Sequence, residues 1–203
     1  MKRLFVILMA VLIGTASGYA QSDEGSDGKP LSKRELRQQE RAARKAEKEA
    51  KKKAEEAEGR RLFEMAKQAV DSCDFVVEAE KVEFRSGRFV YVNSSTNFVS
   101  LQGNEATIQL SFNIPVSGVN GLGGITVDGT ITRIEQKQDR QGNMMYEMMV
   151  QGIAVSANVV IRLTEGSNEC RVTVMPNFHS NRISFIGYLW PGALSRIFKG
   201  RSI

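Results

Sequence analysis

A chain of 203 residues with 28 Lys/Arg, 23 Asp/Glu and a net charge of +5 has room for one domain and an appendage. The surplus is local. Residues 33–61 hold twelve Lys/Arg and seven Glu, whereas thirteen of each sign cancel from residue 62 onward, as do three of each in residues 1–32. This distribution excludes a uniformly basic fold and disfavours nucleic acid as the partner.

Lys2 and Arg3 precede an apolar run over residues 4–13, and the small residues that follow end in Gly18-Tyr19-Ala20 before Gln21. A charged start, ten apolar residues and an A-x-A-like end predict a secretory signal peptide over residues 1–20. Ten apolar residues are too few to span a bilayer, which takes about 20. The mature chain is expected to begin near Gln21, to carry no transmembrane span and to work in the periplasm or at the cell envelope. No cysteine stands at the cut to carry a lipid.

Residues 21–32 are polar, contain glycine and lack apolar periodicity, which predicts a disordered tail. Ser32 and Glu35 form an S-x-x-E capping box that opens a helix. Residues 33–57 have no Gly or Pro and are rich in strong helix formers. Glu40–Arg44, Glu47–Lys51, Glu49–Lys53 and Glu56–Arg60 stand at i,i+4 in the favourable order, each pair worth about 0.2–0.5 kcal/mol. Leu36, Ala43, Ala50 and Ala57 recur every seven residues, but Gln39, Ala46 and Lys53 are too small or polar to complete a coiled-coil seam. Residues 33–61 therefore read as a charged helical spacer, and 25 helical residues would extend it roughly 40 Å. After Gly59, the residues Leu62, Phe63, Ala66, Ala69 and Val70 recur at helical spacing. They predict a docking helix over 62–72 at the head of a β-rich domain, 62–203.

From Cys73 the apolar period becomes two. In the cleanest strand, 107–114, Ile108, Leu110, Phe112 and Ile114 share one face, and Thr107, Gln109, Ser111 and Asn113 share the other. This pattern suits an antiparallel sheet with one solvated side. Further strands are predicted at 75–84, 88–93, 97–101, 125–135, 144–153, 158–164, 170–175 and 182–190, separated by turns such as Ser86-Gly87 and Gln102-Gly103-Asn104. Phe75, Val77 and Ala79 share one parity while Val82 and Phe84 take the other, which calls for a bulge near Glu80-Lys81. The predicted fold is α+β and mainly β: a long charged N-terminal helix, then a curved antiparallel sheet or flattened barrel of about nine strands. The tail 194–203, with Arg196, Lys199 and Arg201, reads as a short amphipathic turn or a frayed end.

The single histidine, His179, lies in the polar connection 176–181 and reads as a surface loop residue, so neither a metal nor a cofactor is expected. No G-x-S-x-G, Walker A, H-E-x-x-H or C-x-x-C pattern occurs, and the expectation is a protein without catalysis. A carboxylate-dependent hydrolase using Asp128, Glu135 or Glu147 is the residual enzymatic option. The glycine-rich stretch 118–124 leads into strand-like sequence rather than a helix, which fits a flexible lip better than a phosphate loop. Bending at Gly121, Gly123 and Gly124 would admit an apolar ligand onto Met144, Tyr146 and Met148, which share one strand face; core filling by those three is the alternative. Cys73 and Cys170 both carry inward parity. They are either a disulfide formed in an oxidising compartment or two separate buried thiols.

Four pieces of the chain carry a resemblance: Phe75 with Ala79; the run Asn97-Phe98-Val99-Ser100-Leu101-Gln102-Gly103-Asn104-Glu105-Ala106; Gly124-Ile125-Thr126-Val127-Asp128-Gly129; and Arg182-Ile183-Ser184-Phe185-Ile186-Gly187-Tyr188-Leu189. Over residues 74–189 the order of these features resembles a secreted family of Gram-negative gut bacteria catalogued as domain of unknown function 4251. The resemblance implies a signal-bearing, β-rich envelope protein with no assigned activity and no catalytic residue to carry over. Two readings of the chain compete. One is a non-enzymatic binding module on a helical spacer, its partner an envelope protein, a polymer or an apolar ligand. The other is an electrostatic tether, in which the cations between Lys33 and Lys53 dock on anionic envelope polymer or lipid, weakened by the interleaved glutamates.

Overall fold

The capping box forms as its residues require. The Ser32 amide donates to Glu35 Oε2 at 2.7 Å and the Glu35 amide to Ser32 Oγ at 3.3 Å. The Ser32 amide also holds the Glu35 carboxyl below its ordinary pKa. The computed structural model describes residues 32–111, 124–178 and 182–202. The chain divides into two compact units, Met1–Arg44 and Lys45–Ile203. In the first, the described part is the opening of helix α1 (Lys33–Asp71).

Helix α1 runs through Gly59 without a break. The ion pairs along it are Lys45–Glu49, Lys51–Glu55 and Lys52–Glu56 at 3.7–3.9 Å, Lys-first at i,i+4, and Glu58–Arg61 at 2.6 Å at i,i+3, rather than the four Glu-first i,i+4 pairs expected. Glu49 and Glu56 each stand between cations four residues before and four after, so the helical lattice offers both choices. All these pairs are solvent-exposed, so water and salt screen them. The helix ends in a tight turn in which the Cys73 amide bonds the Val70 carbonyl at 3.0 Å. Cys73 has φ 55°, the one positive φ at a non-glycine among the described residues. A helix end of this hand usually takes Gly or Asn.

Nine strands follow: β1 (Asp74–Phe84), β2 (Phe89–Tyr91), β3 (Phe98–Gln102), β4 (Glu105–Ser111), β5 (Gly124–Gln138), β6 (Met144–Gln151), β7 (Ser156–Leu163), β8 (Glu169–Pro176) and β9 (Ile183–Pro191). All pairings are antiparallel. β1 pairs with β3, each strand from β3 to β9 pairs with the next, and β9 closes onto β1 from Phe75↔Pro191 to Phe84↔Ile183. Eight strands thus make a closed barrel. β2 is an extra strand on the part of β1, Lys81–Glu83, that lies beyond β3. Glu80 is the unpaired residue of the expected bulge, since Ala79 faces Gly187 and Lys81 faces Ile186. A second bulge lies in β5, where Ile131 faces Val150 and Ile134 faces Met148. The change of parity between Ile131 and Ile134 is its signal in the sequence.

An eight-stranded barrel is just wide enough inside for side chains to fill. Here they do: Met144, Tyr146 and Met148 pack with Phe75, Leu101 and Ile161 in one buried cluster. Phe63, Ala66, Ala69 and Val70 of α1 belong to the same cluster and seal the end of the barrel where β1 begins. This helix end also holds the β3–β4, β5–β6 and β7–β8 turns. Gly59 lies against the β7–β8 turn, where a Cβ would collide with the Gly166 carbonyl. The glycine serves close approach within one continuous helix.

The outer face of β3–β5 departs from expectation. Gln109 and Thr126 are fully buried and Thr107 nearly so, because the C-terminal segment crosses over them. Gln109 Nε2 donates to the Phe198 carbonyl at 2.8 Å and to the Thr96 carbonyl at 3.0 Å, while its Oε1 accepts from the Gly200 amide and Thr126 Oγ1. Ser195 Oγ and the Arg196 amide both donate to Glu78. The tail is a hydrogen-bonded strap, neither an amphipathic turn nor a frayed end.

Candidate functional site

Side chains alternate between the two faces of a strand, so the outward residues line up across the barrel in register. Lys81, Ile186, Arg171, Arg162, Met145 and Lys137 stand opposite one another on β1, β9, β8, β7, β6 and β5. The row holds four cations, two apolar side chains and no carboxylate. Beside it runs a second outward row that includes Glu83, Glu147 and Glu135.

On the helix-end side of the first row lies a groove of about 820 Å³. Lys137, Met145, Arg162, Arg171 and Ile186 line it, with Asp139, Asn143 and Glu169 among the residues at its lip. Its size lies within the range of small-molecule sites, about 300–1,000 Å³. Arg171 reaches Glu83 at 3.0 Å and Lys137 reaches Glu135 at 3.9 Å. Arg162 makes no ion pair or side-chain hydrogen bond among the described residues. Asp139 is engaged within its own turn: it accepts from the Asn143 side chain and from the Gln141 and Asn143 amides, which hold its carboxyl below the usual range. Arg162 and Arg171 are direct neighbours on strands about 4.8 Å apart. A guanidinium fork suits a carboxylate or phosphate group, and of the two Arg171 also holds Glu83; Met145 and Ile186 form an apolar wall.

The residues singled out in the sequence fall elsewhere. Met144, Tyr146 and Met148 point into the barrel and are 3%, 1% and 3% exposed. Of the three, Met144 also borders the groove. Gly124 opens β5 opposite Ser111, at the far end from the helix; Gly121, Gly123 and His179 lie outside the described residues. Tyr146 Oη is the one buried side-chain polar atom without a hydrogen-bond partner among the described residues. Burial, then the charges of Asp71 and Glu64, push its pKa up. Cys73, half-buried, and Cys170, buried, are free thiols, and burial followed by Glu169 pushes the Cys170 thiol up, away from a reactive thiolate.

The three carboxylates considered for hydrolysis are each engaged. Asp128 binds Lys199, Ser202 and Thr107; Glu135 binds Arg133 and Lys137; Glu147 accepts from Asn158. Among the described residues no cluster of His, Cys, Asp and Glu could hold a metal, and no helix is long and apolar enough to cross a membrane. The arginine pair was missed in the sequence although its signal is there: Arg162 and Arg171 are symmetric about the Glu165-Gly166-Ser167-Asn168 turn, so a hairpin must place them opposite each other.

The model of the family described as "Domain of unknown function (DUF4251)" matches residues 57–189. A DUF4251 family protein from Bacteroides eggerthii DSM 20697, solved by crystallography, is similar with a TM-score of 0.60 and 41% sequence identity, over 73% of this chain and 99% of that one. No curated protein matches.

Proposed function

The chain belongs to the DUF4251 family, a domain of unknown function, and on that footing we propose that it is an exported, non-catalytic binding module that holds an anionic ligand in the groove on β5–β9. The observation that carries this reading is the Arg162–Arg171 pair, side by side on adjacent strands in a groove of ligand size. Export rests on the signal-like residues 1–20. The absence of catalysis rests on the engaged state of Asp128, Glu135 and Glu147.

The recognised chemistry is a carboxylate or phosphate group carried on a partly apolar body. Calorimetric titration with inorganic pyrophosphate and with a galacturonate oligomer separates the two anion types. The reading predicts saturable binding of at least one, weakened tenfold or more by Arg162→Glu, because the substitution replaces attraction with repulsion. Binding that survives Arg162→Glu unchanged would place the site elsewhere. Recovery of a chain starting near Gln21 in the periplasmic fraction tests the export step.

A further inference from the structure

The end of the barrel opposite the helix carries a different surface. The β6–β7 turn presents Ile153, fully exposed, and the β8–β9 connection presents Phe178, 81% exposed. These turns are neighbours, since the residues flanking them pair as Ala157↔Pro176. Ile125, at the adjoining rim on β5, is also exposed. Single exposed apolar residues are ordinary, but large ones gathered on adjacent turns mark an interaction surface.

Both turns are held in place at their bases. The Gly152 amide bonds the Val155 carbonyl at 2.7 Å, and a Cβ at Gly152 would collide with the Asp128 carbonyl. The Asn177 amide bonds the Ser156 carbonyl at 2.8 Å, and Asn177 Nδ2 bonds Ser156 Oγ at 2.7 Å. Ile153 and Phe178 each follow directly on one of these anchored residues.

Among the described residues, the turns at this end carry cations and no carboxylate. The β1–β2 turn carries Arg85 and Arg88, and Arg182 lies next to it, just before the Phe84↔Ile183 pair. Residues 84–89, 124–126, 151–156, 176–178 and 182–183 contain these three arginines and no carboxylate. The helix end mixes both signs: Glu64, Asp71, Asp74, Glu105, Asp139, Glu165 and Glu169 stand there with Arg60, Arg61, Lys67, Lys137 and Arg140.

We propose that this far end docks on an anionic lipid surface, with Ile153 and Phe178 entering the headgroup–acyl boundary and Arg85, Arg88 and Arg182 meeting lipid phosphates. Apolar insertion combined with cation attraction is how peripheral proteins hold to membranes. Each arginine near such a surface should change partitioning roughly fivefold. The proposal is independent of the groove, which lies toward the other end.

The test is flotation of the mature chain, residues 21–203, with vesicles of phosphatidylcholine alone or mixed with phosphatidylglycerol. Three forms are compared: wild type, Ile153→Asp with Phe178→Asp, and a helix variant with Lys51→Gln, Lys52→Gln and Lys53→Gln. Both docking residues are exposed, so their aspartates leave the core untouched, and circular dichroism checks this. The expected result is flotation of wild type with phosphatidylglycerol vesicles, reduced at least tenfold in the double aspartate variant and little changed in the helix variant. Arg88→Glu with Arg182→Glu should also lower it, by tenfold or more. Three outcomes overturn the proposal: no flotation of wild type, which leaves a protein as the occupant of the rim; flotation of the double aspartate variant equal to wild type; or flotation lost in the helix variant alone, which assigns the membrane to α1.

Discussion

Gln109 and Phe198, 89 positions apart, are joined by a hydrogen bond of 2.8 Å from the glutamine amide to the phenylalanine carbonyl. The bond fastens the C-terminal strap onto β4, and Gln109 also accepts from the strap's Gly200 amide and donates to the Thr96 carbonyl. A buried amide bonded on all sides stabilises its surroundings, and the same site emptied leaves several groups without partners. Gln109→Leu should therefore destabilise the protein by about 2 kcal/mol, with water reaching part of the released strap. Urea denaturation measures the loss. A change below about 0.5 kcal/mol would mean that the strap contributes little.

Asp128 gives the strap a pH dependence. Burial raises its pKa, but hydrogen bonds from Lys199, Ser202 and Thr107 outweigh that and hold it below the ordinary 3.8. A carboxyl with a depressed pKa in the folded state contributes stability that is complete above the unfolded value and disappears as pH falls through the folded one. The strap should therefore loosen below about pH 4. The protection of the Lys199–Ser202 amides relative to their intrinsic exchange rates, followed from pH 6 to pH 3, should fall in the wild type and be low throughout in Asp128→Asn. The carboxylate is about two-fifths exposed, so the expected stability loss for Asp128→Asn at neutral pH is modest, about 1 kcal/mol.

Gly59→Ala separates two opposing effects. Helix propensity alone favours alanine by about 1 kcal/mol. The new Cβ would meet the Gly166 carbonyl, which is backbone and cannot swing aside. We expect the collision to win, with a lower melting temperature despite the better helix former. A higher melting temperature would show that the β7–β8 turn yields.

Tyr146→Phe should leave stability unchanged or raise it by up to about 1 kcal/mol, because the hydroxyl it removes is buried without a partner. Chemical denaturation of the two proteins decides the point. A loss of more than about 1 kcal/mol would mean that a bound water or ligand atom satisfies the hydroxyl.

The nine strands, the capping box and the Glu80 bulge were legible in the sequence because each is a local pattern: a period of two, an S-x-x-E spacing, a change of parity between Ala79 and Val82. Closure of the barrel was not, since the Phe75↔Pro191 pairing joins the two ends of the β-region and leaves no local mark. The strap was misjudged for a related reason. Thr107, Gln109 and Thr126 have the polarity of a solvated face, and only a segment some 90 residues away buries them. The close approach of Gly59 to Gly166 likewise has no signature in neighbouring residues.

Binding outside the barrel rather than within it is the central claim, and the methionines report on it directly. Met145 lies in the groove, whereas Met148 is sealed in the interior. Methyl-labelled methionine spectra of the mature chain, titrated with pyrophosphate and with a galacturonate oligomer, separate the two locations. The account predicts that the Met145 methyl shifts on saturation, that Met148 does not, and that Arg162→Glu abolishes the shift. A shift at Met148 with Met145 unmoved would contradict it and place the ligand inside the barrel.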